Sequence, residues 1–202
     1  MYSQKGRMSK LGHNYDTDYS KDGSKFRSAN DAILVELKQS EHTGRITAVV
    51  GLGDAVSSYG LRESVQSLER DYTAHLSDWR DQMMKIKRPN ASHVARWHLA
   101  DAIVTFANNA RRKGLQVANL REALIRDLPI PKSSLGYLIK FRERYASPDH
   151  LNPRLSWSSY RELLDFKNVA EMRKCEDLLR KGRVRSTSEI RRICNAANGN
   201  RT

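Results

Sequence analysis

Residues 60–87 read GLRESVQSLERDYTAHLSDWRDQMMKIK. Within them Leu61, Val65, Leu68, Tyr72, Leu76, Trp79 and Met83 follow one another at steps of 4, 3, 4, 4, 3 and 4. That is the period of an α-helix, and it lays an apolar stripe along one face. Arg62, Glu63, Glu69, Arg70, Asp71, Asp78 and Arg80 supply much of the remainder. A helix of this length, about 40 Å by rise per residue, outreaches a small domain. Its stripe is expected to pack inside the chain or to pair with a second copy, and the repeat is too short and irregular to demand a coiled coil.

Towards the N-terminus the pattern weakens. The segment 1–27 has no periodicity and is dominated by Gly, Ser, Asp and Lys with three tyrosines, so it reads as a flexible tail. A short helix is expected from Asn30 to about Gln39, with Ile33, Leu34 and Leu37 on one side. The stretch TGRITAVVGLGDAVSSY (43–59) is compatible with a strand at ITAVV or with a helix running from about Gly44. Residues 28–88 together read as a helical assembly region that brings copies of the chain into a homodimer.

Towards the C-terminus, Pro89 breaks the long helix. Ser92 is expected to cap a helix over roughly 93–111 with Val94, Trp97, Ile103, Val104 and Phe106 among its apolar residues, ended by Arg111, Arg112, Lys113 and Gly114. A helix–turn–helix pattern follows. Asn119, or a residue just before it, opens a helix carrying Leu120, Leu124, Ile125 and Leu128; Pro129-Ile130-Pro131 closes it. Ser133 or Ser134 is expected to cap the next helix, SSLGYLIKFRERY, with Leu135, Leu138, Ile139 and Phe141 inward. Its other face would show Lys132, Tyr137, Lys140, Arg142 and Arg144. After Pro153, three more helices are expected. LSWSSYRELLDFKN begins one near Ser156 or Ser158, Asn168 opens the second and Gly182 ends it. Ser186 or Thr187 is expected to cap the last, with Glu189 three residues after Ser186 as in a capping box; it carries Ile190 and Ile193 inward and Arg191 and Arg192 outward. The fold class is therefore all-α: tandem helix–turn–helix-like modules, 89–150 and 151–202, preceded by the long amphipathic helix.

Charge divides the chain in the same place. Residues 1–86 carry 12 Lys/Arg and 12 Asp/Glu, whereas 87–202 carry 24 and 11, so the whole formal charge of +13 lies in the second part. A merely solubilising charge does not need that asymmetry; a polyanionic partner does. In a helix–turn–helix the second helix enters the major groove with its first turn near the bases. Ser133, Ser134 and Tyr137 are then placed to touch bases or phosphate, and Lys132, Lys140, Arg142 and Arg144 to grip phosphate. Arg183, Arg185, Arg191 and Arg192 extend the expected DNA surface onto the second module.

The run LSWSSYRELLDFKN, an Arg in the following helix and the ending STSEIRRI resemble the N-terminal helical domain of the YhcG/DUF1016 family, and KSSLGYLIKFRERYA is similar to that family's preceding segment. The resemblance covers about 116–193, under half of the chain. It implies a helical region that binds DNA or docks other subunits, with Trp157, Tyr160, Leu163 and Leu164 as its structural signature. Ser159 stands where the family often has His, and Arg183 or Val184 where it often has Gly-Trp. The nuclease domain that often follows in that family is not expected, because the sequence ends at Thr202.

No catalytic chemistry is expected. The one nuclease-like fragment is Glu36-Leu37-Lys38 with Asp22 or Asp31 upstream, and a central sheet is not expected around it. Gly51-Leu52-Gly53 lacks the Lys-Ser/Thr ending of a phosphate loop. Cys175 and Cys194 match no zinc spacing and read as buried free thiols in a reducing compartment, and His42, His75, His93, His98 and His150 read as surface or packing residues. No cofactor, metal or membrane partner is expected. The reading is a non-enzymatic, sequence-specific double-stranded DNA-binding protein, cytoplasmic and nucleoid-associated, acting as a regulator or as a segregation or accessory factor of a phage or plasmid. The alternative is a non-catalytic subunit docking a nuclease or partition ATPase.

Overall fold

A computed structural model describes residues 32–50, 59–88 and 91–199. Three strands are present, β1 (Ile33–Gln39), β2 (Ile46–Val50) and β3 (Leu115–Val117). Seven α-helices accompany them among these residues: α1 (Tyr59–Ile86), α2 (His93–Arg112), α3 (Leu120–Asp127), α4 (Lys132–Arg144), α5 (Trp157–Leu164), α6 (Val169–Arg180) and α7 (Thr187–Ala197). The chain is mostly helical but not all-α. The expected flexible tail, Gly51-Leu52-Gly53, Asp22, Asp31 and Pro89 lie outside the described residues.

The expected helix over 30–39 is a strand where it is described. Val35 and Leu37 are fully buried while Leu34, Glu36 and Lys38 are exposed, which is the two-residue alternation of a sheet with one wet face. β1 is the centre of the sheet, in the order β2-β1-β3. It pairs antiparallel with β2, Leu37 opposite Ala48, and parallel with β3, Ile33 opposite Leu115. The β1–β2 hairpin turns through Gly44 at φ +67°. Asn119 locks the sheet to the helices. Its carboxamide accepts from the Leu37 amide at 2.8 Å and donates to the Leu37 carbonyl at 3.0 Å, satisfying both backbone groups of a fully buried residue.

The α1 stripe packs inside the chain. Leu68, Tyr72, Leu76, Trp79, Met83 and Ile86 join Val35, Leu37, Leu99, Ile103, Phe106, Leu115 and Leu124 in one core. Tyr72, Trp79 and Phe106 meet edge-on or tilted, with centroids 5.6–5.8 Å apart. A buried polar tie closes this core: the Tyr72 hydroxyl donates to Asp127 at 2.9 Å, and Arg126 grips the same carboxylate through Nε and Nη2 at 2.7 and 2.6 Å. The stripe that raised the possibility of pairing is thus engaged within one chain, and a dimer would need another surface.

A second core lies between α2, α4 and α5–α7. Trp97, Phe141, Tyr145, Tyr160, Leu163, Phe166, Met172, Cys175, Ile190 and Cys194 build it, and both cysteines are free thiols. The two cores do not follow the segment boundaries read from the sequence. α2 supplies Ile103 to one and Trp97 to the other; α4 supplies Leu135 and Phe141 likewise. The Trp97 indole N–H donates to the Tyr145 carbonyl at 2.6 Å across this joint. At the start of α6 Val169 is 43% exposed, while Met172 and Cys175 face inward.

Candidate nucleic-acid interface

The α3–α4 connection is the short turn 128–131, and α4 begins at Lys132. Pro131, not Ser133 or Ser134, holds the N-cap position, with no side-chain cap. Proline's fixed φ suits a helix start, and the two serines fall inside the first turn. Lys132, Ser133 and Ser134 are exposed there, beside Arg121, whose Nη2 reaches the Lys132 carbonyl at 3.4 Å. The uncapped first turn therefore offers amide donors, two hydroxyls and two cations to an anion. α4 leans chiefly on α2 rather than on α3.

Along α4 the expected wet face splits. Lys140 is exposed, with Nζ 5.7 Å above the Tyr137 ring. Tyr137 is half-buried and donates its hydroxyl towards Asp165 at 3.1 Å, with the Arg161 guanidinium 4.6 Å over its ring. Arg191 of α7 stands beside this cluster, clamping Glu162 through Nε at 3.0 Å and Nη2 at 2.5 Å. Lys132, Ser133, Tyr137, Lys140 and Arg191 are thereby joined, with Arg161, on a surface made from α4, α5 and α7, and Arg121 of α3 flanks it at Lys132.

Arg142 is not on that surface. Its Nε donates to Asp101 of α2 at 2.5 Å and its guanidinium covers Trp97 at 4.7 Å. The signal was present in the sequence: Arg142 lies four residues after Leu138 and seven after Leu135, so it continues the inward stripe. Arg144 is half-buried because the 165–168 connection folds over it, and it donates to the Phe166 carbonyl at 3.3 Å.

The remaining residues fall elsewhere. Arg183 and Arg192 are exposed. Arg185 borders a groove of about 1150 Å³ between the loop 149–156 and the α6–α7 turn. Arg154, Arg173 and Arg180 line the same groove, over apolar Leu151, Leu155, Leu179 and Val184. Sequence reading missed Arg154, Arg173 and Arg180: the last two lie about two turns apart on α6, and Arg154 comes from the separate loop before α5, so their shared groove forms no local pattern. Arg173 also meets the buried Glu176 at 2.7 Å and donates to the Arg144 carbonyl at 2.9 Å.

Burial favours the neutral forms of the tyrosines, the cysteines and His93 inside this half. Burial pushes the Cys175 thiol up to about 11 and the Tyr160 phenol to about 12. Burial likewise lowers His93, whose Nε2–H donates to the Leu155 carbonyl at 2.5 Å. No cluster of three or more His, Cys, Asp or Glu suited to a metal is present among the described residues. Glu36-Leu37-Lys38 does stand on a sheet, contrary to expectation, but Glu36 and Lys38 simply pair with each other at 3.4 Å on its wet face. No helix among the described residues is long and apolar enough to cross a membrane. No protein-family model matches the chain, and neither a curated protein nor a solved structure is significantly similar to it.

Proposed function

We propose that this chain binds double-stranded DNA through the basic surface of α4, α5 and α7, as a regulator or as a segregation or accessory factor of a phage or plasmid. The observation that carries the reading is the state of the charges between residues 131 and 199, where 15 Lys/Arg face 8 Asp/Glu. Most of the carboxylates are engaged: Glu162 with Arg191, Glu171 with Lys174, Glu176 with Arg173, Asp177 with Arg180, Asp165 with Tyr137 and Glu189 in the α7 capping box. Lys132, Lys140, Arg154, Arg161, Lys167, Lys181, Arg183 and Arg192 have no carboxylate within ion-pair distance among the described residues. Such an array repels itself, and a phosphate backbone relieves it with release of counterions.

The exposed first turn of α4, with Lys132, Ser133 and Ser134, is the part suited to reach base edges in a helix–turn–helix manner. The resemblance of 116–193 to the YhcG/DUF1016 helical domain supports the same reading. Fluorescence anisotropy on a labelled duplex across a salt series tests it. Affinity is expected to fall steeply, with a log–log slope of about −0.9 per phosphate neutralised. Lys132→Ala with Lys140→Ala is expected to flatten that slope by about 2. Salt-insensitive binding, or none at low salt, overturns the reading. Selection from random duplexes then separates base recognition from phosphate grip.

A further inference from the structure

We infer that the arginine-lined groove beside the α6–α7 turn is a second duplex-binding surface, so that one chain holds two DNA segments at once. The inference rests on the DNA-binding reading and extends it to a place that the helix–turn–helix pattern does not mark.

The groove and the α4 surface lie on opposite flanks of α5. Ser156 and Ser159 line the groove, whereas Arg161 covers Tyr137 of α4. Ser159 and Arg161 are two residues apart, which is about 200° around a helix, and Tyr160 between them is buried in the core. α7 repeats the division: Arg185, just before its N-cap, borders the groove, while Arg191 clamps Glu162 beside Tyr137. A rigid duplex on one flank does not reach the other without passing through the α5–α7 core.

The groove's chemistry selects a phosphodiester backbone. Four guanidiniums, of Arg154, Arg173, Arg180 and Arg185, stand along it, against one lining carboxylate, Asp149, which already accepts from Ser147 at 2.8 Å. Arg173 and Arg180 are tied to Glu176 and Asp177, and Arg185 Nε donates to the Gly182 carbonyl. Arg154 is exposed and has no carboxylate partner among the described residues. The groove continues into a recess of about 400 Å³ that shares Leu151, Pro153 and Ser156 with it and extends to Ser92 and Arg96. Cations spread along a channel, rather than converging on one point, fit an extended polyanion better than a compact one. No Phe, Tyr or Trp lines the groove, and the Trp157 ring in the recess is covered by Arg96 at 5.0 Å. Apart from the single imidazole of His150, bases therefore meet no free aromatic ring to stack on, and the duplex backbone is favoured over a single strand.

The test is the number of duplexes bound per full-length chain, read by sedimentation velocity with excess labelled duplex of about 12 base pairs, roughly 40 Å long. Two per chain are expected for the wild type. One is expected for Arg154→Glu with Arg185→Glu, and one for Lys132→Glu with Lys140→Glu. The neutral pair Arg154→Gln with Arg185→Gln, with an unchanged urea midpoint, guards against a folding artefact and is expected to weaken the second binding event at least tenfold. One duplex per wild-type chain overturns the inference while leaving the DNA-binding reading intact. Two duplexes retained in the groove variants also overturn it, and point to an acidic protein segment as the groove's occupant. No duplex bound at low salt removes the DNA-binding reading itself, and the inference with it.

Discussion

Lys140 and Arg142 are two positions apart on α4 and behave as different kinds of residue. Lys140 projects into solvent beside Tyr137, whereas Arg142 bridges α4 to α2 through Asp101 and lies flat on Trp97. The cation–π contact and the half-buried ion pair together are worth about 1–2 kcal/mol. Arg142→Ala is expected to lose about that much stability, seen as a lower urea midpoint at an unchanged slope. Lys140→Ala is expected to stay within about 0.5 kcal/mol of wild type and to weaken duplex binding instead. Equal urea midpoints for the two variants would show that the α2–α4 bridge contributes nothing. The same contrast explains why charge and position alone misassign a residue. An arginine in the inward register of a stripe is a packing residue until the opposite wall is known, because its stem and its planar head both have apolar surface to cover.

At the scale of elements, the helices were legible and the sheet only in part: ITAVV, open to a strand or a helix in the sequence, is β2, whereas β1 and β3 do not read as strands. α1, α2 and α4–α7 carry 3.6-residue patterns, and four of them have side-chain caps at positions the sequence offers: Ser92 accepts from Val94, Ser156 from Ser159, Asn168 from Ala170 and Ser186 from Glu189, whereas α4 starts at Pro131 without one. β1 misleads because Ile33, Leu34 and Leu37 satisfy a helical step of three and four, while Ile33, Val35 and Leu37 satisfy a strand step of two. The choice is made by partners distant in sequence, β3 and the Asn119 side chain, 82 residues from Leu37. A three-residue strand such as β3 has no period to read. Gly114, expected only to end α2, also delivers the chain into β3: it sits at φ +75°, and its carbonyl accepts from the Ile33 amide at 3.0 Å. A Cβ added there meets nothing within 4 Å, so the cost of Gly114→Ala is backbone strain alone. That cost is about 1–2 kcal/mol in the left-handed region. Thermal melting is expected to show it as a drop of a few degrees. An unchanged melting temperature would mean that the α2–β3 turn relaxes freely.

For the whole molecule, the two cores share a habit of burying groups that ionise late or not at all. Burial pushes Tyr72, Tyr145, Tyr160, Cys175 and Cys194 upward, with Asp127 adding to the shift at Tyr72 and Glu176 to that at Tyr145. Each of these groups keeps its proton in the folded chain beyond the pH at which the unfolded chain releases it. Their contribution to stability is therefore complete below the ordinary thiol value of 9.0, and declines as pH rises towards the folded value of about 11 for Cys175. His93 acts in the opposite direction. Its folded pKa lies below the ordinary 6.5, since desolvation opposes a second proton on a ring whose Nδ1 is buried without a partner. Its contribution is complete above 6.5 and is lost as the unfolded chain takes up that proton in acid. Urea midpoints are expected to form a plateau between about pH 6.5 and 9, falling on both sides. Cys175→Ser is a poor probe because it places a hydroxyl in an apolar site; Cys175→Ala, which removes the ionisable group, is expected to make the alkaline limb shallower. Thiol labelling under native conditions supplies the independent reading. Both cysteines are expected to stay unreactive at pH 8 in the folded protein and to react at once in urea, because the thiolate is the nucleophile and burial denies it both charge and access. A midpoint that stays level to pH 11, or prompt native labelling, would mean that the second core opens readily, and the two flanks of α5 would then no longer be held apart by a rigid body.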